Sequence, residues 1–160
     1  MNACFLLHQT DPLTGLFDRS ILKDFLSKFI QNNPAGERSC GMLLLDIDNF
    51  KSINDAFGHG RGDQVLIEIS RRLQAHVRPS DIVIRYGGDE FIILLPDSEQ
   101  PLIHKIAERL VEEIHQTPFE GAPTLHLTIS MGGASYPADA LTTEDLFERA
   151  DQRHYAAKRH

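Results

Sequence analysis

The chain has 160 residues, enough for one domain with a real core. Its composition is 41% apolar and 24% charged, which excludes a disordered chain. Twenty-three acids against sixteen bases give a net charge of -7, which argues against a nucleic-acid scaffold or an anionic-membrane binder. A nucleotide remains compatible with that charge, because a bound metal offsets local acidity.

No apolar stretch approaches the roughly 20 residues of a membrane span. The N-terminal "MNACFLLHQ" lacks a basic start and reads as a linker remnant over residues 1–10 rather than a signal peptide. Cys4 and Cys40 have no CxxC spacing, so neither a disulfide framework nor a zinc site is expected. A reducing cytoplasm is the simpler setting. His8, His59, His76, His104, His115 and His126 offer no metal-ligand spacing.

"DPLTGL" (residues 11–16) reads as a turn. Ile21, Leu22, Phe25, Leu26, Phe29 and Ile30 then recur at helical spacing, and "NNPAGE" stops that helix. "GMLLLDI" (residues 41–47) suits a central strand buried on both faces. The next segment predicts a short helix, a glycine-rich turn "GHGRGD", and a second helix with Val65, Leu66, Ile69 and Leu73 on one face. "DIVIRY" and "FIILL" form a hairpin around Gly87 and Gly88. Leu102, Ile103, Ile106, Leu110, Val111 and Ile114 mark an amphipathic helix. "LHLTISM" (residues 125–131) alternates as a strand, and a last helix carries Leu146, Phe147, Ala150 and His154. This order predicts an α/β sandwich with a mostly antiparallel sheet flanked by helices.

Two local features carry chemistry. Asp46 ends the first long strand, with Asp48 two residues on, while Asp89 and Glu90 sit at the hairpin turn. If that strand lies beside the hairpin, Asp46 and Asp89 converge at one sheet edge. Carboxylates so placed repel one another and take up protons or a hard cation such as Mg²⁺ or Mn²⁺. A solvated acidic hairpin is the other reading. In "GHGRGD", backbone N–H groups at a helix start suit phosphate, and Asn54 and Asp63 suit a base edge. A helix cap at Gly58 with an N-terminal acid at Asp63 is the alternative there.

Taken together, "DPLTGL", "LLLDIDNFKSINDAFGHGRGD", "RYGGDEF", "LTISMG" and "ADQRHYAAK" resemble the GGDEF family of bacterial diguanylate cyclases, in order and spacing, across residues 11–160. The resemblance implies a polymerase-palm or nucleotidyl-cyclase-like sandwich. It implies condensation of two GTP into cyclic di-GMP with release of two pyrophosphates, by a homodimer that pairs two half-sites. It places Asp46, the Ile47 carbonyl and Asp89 on Mg²⁺ or Mn²⁺, and Asp89 or Glu90 at the attacking hydroxyl. Asn54 and Asp63 match guanine-reading positions, Lys51 and Lys158 phosphate positions, and Gly87 and Gly88 the ribose and phosphate approach. "RPSD", five residues before the signature, implies a product-inhibition site of Arg78 and Asp81, with Arg109 as its second arginine.

Several residues depart from the family pattern. Arg153 and His154 replace the usual Ala and Leu, which leaves the packing of the last helix and the aim of Lys158 in question. His154 reads as a hydrogen-bonded residue at the core edge rather than a ligand. Asp18 stands where asparagine is usual, and the chain stops at His160 before the usual "GRN", so weakened GTP binding or a trimmed fragment is expected. A sensory domain is expected upstream. The alternative function is a non-catalytic module that senses GTP or cyclic di-GMP.

Overall fold

Five strands and five helices build a three-layer sandwich in the computed structural model, which describes residues 9–158, with side chains as far as His154. In chain order the elements are β1 (Phe17–Asp18), α1 (Ser20–Gln31), β2 (Cys40–Ile47), α2 (Phe50–Phe57), α3 (His59–Ala75), β3 (Ile82–Arg85), β4 (Glu90–Pro96), α4 (Gln100–Gln116), β5 (Ile129–Tyr136) and α5 (Thr143–Lys158). The sheet order is β1-β3-β4-β2-β5, antiparallel at every pairing except β1 with β3. Among the described residues no helix is long and apolar enough to cross a membrane.

β2 is an unbroken apolar run because both of its faces are covered. Leu43, Leu45 and Ile47 belong to the core shared with α3 and α4. Met42 and Leu44 point the other way, into the core shared with α1 and α5. The period-2 alternation then places Asp46 on the α5 side, at the end of that second core. The predicted helical face is buried in α3, and in α1 Ile21, Leu22, Leu26 and Phe29 are buried with Phe25 and Ile30 half-buried beside them. In α4, Leu102 is a correction: it is 38% exposed, because the core-facing row runs through Ile103, Ile106, Leu110 and Ile114.

Two further expectations change. The last strand runs over Ile129–Tyr136, not 125–131, and Leu125 only bridges to Phe119. Gly132 and Gly133 hide that strand from an apolar pattern, yet both are needed where neighbours come close. A Cβ at Gly132 would overlap the His154 backbone nitrogen and the Ala150 carbonyl oxygen. The "GHGRGD" segment is not a turn: only Gly58 breaks the chain, at φ 86°, and α3 begins at His59. Asp63 therefore sits inside a helix, in its second turn. The short strand β1 had no sequence signal.

The packing of α5 is settled by the residues that depart from the family. Arg153 donates to the Gly133 carbonyl at 2.8 Å and forms a two-pronged pair with Asp139, both contacts at 3.0 Å. Gln100 and the Ser135 N–H also donate to Asp139. The Arg153 guanidinium, against the opposing effect of burial, holds the Asp139 carboxyl far below its ordinary 3.8. A carboxyl depressed on folding stabilises the fold above its ordinary value and loses that contribution as pH falls. Asp139→Asn should therefore be less stable than the parent near neutrality. The gap should close as pH drops below about 4 in chemical denaturation run across pH.

Candidate active site

The hairpin between β3 and β4 is placed by backbone pairing. Glu90 lies directly opposite Asp46 in the β2–β4 register, and Ser130 lies opposite Asp46 on β5. Directly opposed residues on one face of a sheet have neighbouring Cβ atoms, so Asp46, Glu90 and Ser130 share one face. The Ile47 N–H donates to the Asp89 carbonyl at 3.3 Å, which continues the ladder into the turn. Asp46 and Glu90 thus stand side by side at the end of the β2–β4 ladder, with Asp89 in the turn next to them. Asp48 turns elsewhere: its carboxylate accepts from the Thr128 and Ser130 hydroxyls, both at 2.6 Å.

The Gly87–Gly88 tip is not loose. The N–H groups of Tyr86 and Gly87 both donate to the Glu90 carbonyl. Arg85 donates one nitrogen to the Gly88 carbonyl at 2.9 Å and another to both oxygens of Asp11 at 3.1 Å. Asp11 also accepts from the N–H and hydroxyl of Thr14. Burial pushes the Asp11 carboxyl up, but the bonds from Thr14 and Arg85 outweigh it and leave the group below its ordinary value. The "DPLTGL" turn is therefore a brace for the hairpin tip. This role was absent from the sequence reading, since 74 positions separate Asp11 from Arg85.

Beside the hairpin lies a cavity of about 350 Å³. It is lined by Phe50, Lys51 and Asn54 of α2, His59, Asp63 and Leu66 of α3, and Arg85, Gly88 and Asp89 of the hairpin. The glycine break at Gly58 folds α2 back beside α3, so Asn54 and Asp63 face one space. Asn54 Oδ1 is buried with no hydrogen-bond partner. Gly62 makes room for it, since a Cβ at that position would strike Oδ1. An orphaned buried acceptor costs about 1–3 kcal/mol, which a ligand N–H recovers. Gly87 lies under the Glu90 carboxylate.

Arg78 and Arg109 flank a separate region, the turn between α3 and β3. Arg78 is bound to Asp81 (Nη2–Oδ1 2.7 Å), the Pro96 carbonyl and Ser98 Oγ. Arg109 donates to the His76 carbonyl at 2.6 Å. The Lys158 side chain, Cys4 and His8 lie outside the described residues. Cys40 is buried, and burial pushes its thiol up to about 12, so it is no nucleophile. Among the described residues no three His, Cys, Asp or Glu side chains gather around one point.

This fold, with its braced carboxylate hairpin and adjoining polar cavity, matches solved GGDEF domains. The family described as "Diguanylate cyclase, GGDEF domain" matches residues 8–160. The chain belongs to that family. Response regulator PleD of Caulobacter vibrioides is 40% identical over 152 residues, covering 93% of this chain and 34% of PleD. Diguanylate cyclase DosC of Escherichia coli K12 is 35% identical over 151 residues, covering 93% of this chain and 33% of DosC. The chain thus spans about a third of the length of these relatives. The solved GGDEF domain of TpbB (YfiN) from Pseudomonas aeruginosa has a TM-score of 0.88 at 34% identity, over 94% of this chain and 89% of that one. The GGDEF domain of DgcB from Caulobacter crescentus, solved in complex with c-di-GMP, has a TM-score of 0.86 at 30% identity, over 94% and 87%.

The brace makes a separate prediction. Asp11→Ala should leave the global fold intact, because the sheet core does not include it. Amide hydrogen exchange at Tyr86 and Gly87, whose N–H groups donate to the Glu90 carbonyl, should rise about tenfold for the loss of one charged contact of roughly 1.5 kcal/mol.

Proposed function

We propose that this chain is the catalytic domain of a diguanylate cyclase, joining two GTP molecules into cyclic di-GMP. The observation that carries the reading is the unpartnered Asn54 Oδ1, buried against Gly62 at the wall of a cavity that Asn54 lines with Asp63, Lys51 and the hairpin residue Asp89. In this reading Asn54 Oδ1 accepts an N–H from guanine, and Asp63 accepts from guanine N1 and N2. Adenine lacks that donor pair, so GTP is favoured over ATP. Lys51 faces the phosphates, joined by Lys158 as the family pattern suggests. Gly87 and Gly88 leave the backbone open to ribose and phosphate.

Asp46, the Ile47 carbonyl and Asp89 would hold Mg²⁺ or Mn²⁺. The donor set fits such an ion: hard oxygens on two carboxylates and a carbonyl, with nucleotide phosphate oxygens left to complete the shell. A bound ion there would offset phosphate charge and acidify the attacking 3′-hydroxyl. Asp89 and Glu90 lie beside that position as acceptors for its proton. One domain holds one GTP, so the reaction needs a second copy facing the first. A homodimer is the active state, and an upstream sensory segment is its natural organiser. Residues 11–160 form the catalytic unit.

Incubation with GTP and Mg²⁺ at high protein concentration should yield cyclic di-GMP, seen by liquid chromatography. Asp46→Asn or Asp89→Asn should lower the rate about a hundredfold or more. GTP binding without any product, from the full-length protein, would instead mark a sensing module. Asn54→Ala and Gly62→Ala should each weaken a non-hydrolysable GTP analogue about threefold to tenfold in calorimetry, the worth of one hydrogen bond.

Product inhibition is part of the same proposal. Arg78 and Arg109 flank one turn and carry guanidinium groups suited to phosphate and to the guanine Hoogsteen edge. Asp81 orients Arg78 there. Arg109→Ala should raise the cyclic di-GMP concentration for half-inhibition about tenfold or more without lowering the initial rate.

A further inference from the structure

His154 lies on the sheet-facing side of α5, one turn beyond Ala150, and is only 8% exposed. Its Nε2 is 3.1 Å from Asp46 Oδ1. An ionised carboxylate only accepts, so Nε2 carries the hydrogen and donates it. Both partners are held by backbone. Asp46 sits on a strand rung between Glu90 and Ser130. The His154 backbone rests directly on Gly132 of β5, where no Cβ intervenes. Arg153 locks the same turn of α5 through Gly133 and Asp139.

We propose that His154 is a positioning residue for Asp46, fixing the carboxylate by its Nε2–H so that it meets a divalent cation in one orientation. An imidazole N–H donated to Oδ1 leaves the carboxylate its charge, so it orients the ligand without neutralising it. Groups that hold metal ligands from behind commonly contribute ten- to a hundredfold to metal affinity. The inference rests on the proposed role of Asp46 as a metal ligand.

The test is Mn²⁺ binding to the full chain, followed by electron paramagnetic resonance of the free ion, with thermal unfolding measured alongside. Asp46→Asn should weaken binding at least tenfold. His154→Leu and His154→Met, which cannot donate, should each weaken it about tenfold, while cooperative thermal unfolding shows that both variants still fold. His154→Gln, whose amide can donate, should recover affinity to within about threefold of the parent. If Asp46→Asn weakens binding while both non-donor variants bind as tightly as the parent or tighter, the positioning role is overturned. Equal weakening by Gln, Leu and Met overturns it too, since shape alone would then explain the loss. If Asp46→Asn binds like the parent, Asp46 is no ligand, and the reading beneath the inference falls with it.

Discussion

The pairing of β2 with β4 is the constraint on which the rest of the site depends. One register sets Leu43 to Leu45 against Ile93 to Phe91, burying both cores, and sets Asp46 against Glu90 at the end of the same ladder. A slip of one residue would turn Asp46 to the opposite face and exchange the residues that fill the two cores. The hydrophobic effect therefore fixes where the carboxylates stand, though it gains nothing from them.

Around these carboxylates the fold supplies rigidity from three directions. Asp11 and Arg85 brace the glycine tip from the N-terminal turn. The Gly58 break folds α2 beside α3 and sets Asn54 next to Asp63. Gly132 lets α5 lie directly on β5, which brings His154 to Asp46. Glycine acts differently in the last two. At Gly58 a positive φ is required, whereas at Gly132 the absence of a Cβ is what matters.

Much of this was legible in the sequence, for physical reasons. β2, the β3–β4 hairpin, α1 and α3 announce themselves through apolar runs and helical spacing, because burial drives both the pattern and the element. The end of β5 escapes the sequence pattern because glycines and serine replace the apolar alternation where α5 and Leu43 press on it. The glycines of "GHGRGD" suggested a turn, yet Gly60 and Gly62 both lie within α3, Gly62 buried against Asn54. His154 was readable as a hydrogen-bonded residue at the core edge. Its partner was not, since 108 positions separate it from Asp46. Arg153, which put the last helix in question, proves to anchor it.

The central claim is that the hairpin edge and the Asn54–Asp63 cavity together form one site for a metal-bound guanine nucleotide. A crystal structure with Mn²⁺ and a non-hydrolysable GTP analogue tests it directly, using the anomalous signal of the ion. The account predicts an ion within coordinating distance of Asp46 and the hairpin carboxylates, with the base held by Asn54 Oδ1 and Asp63. An ion bound elsewhere, or a nucleotide outside that cavity, would contradict it.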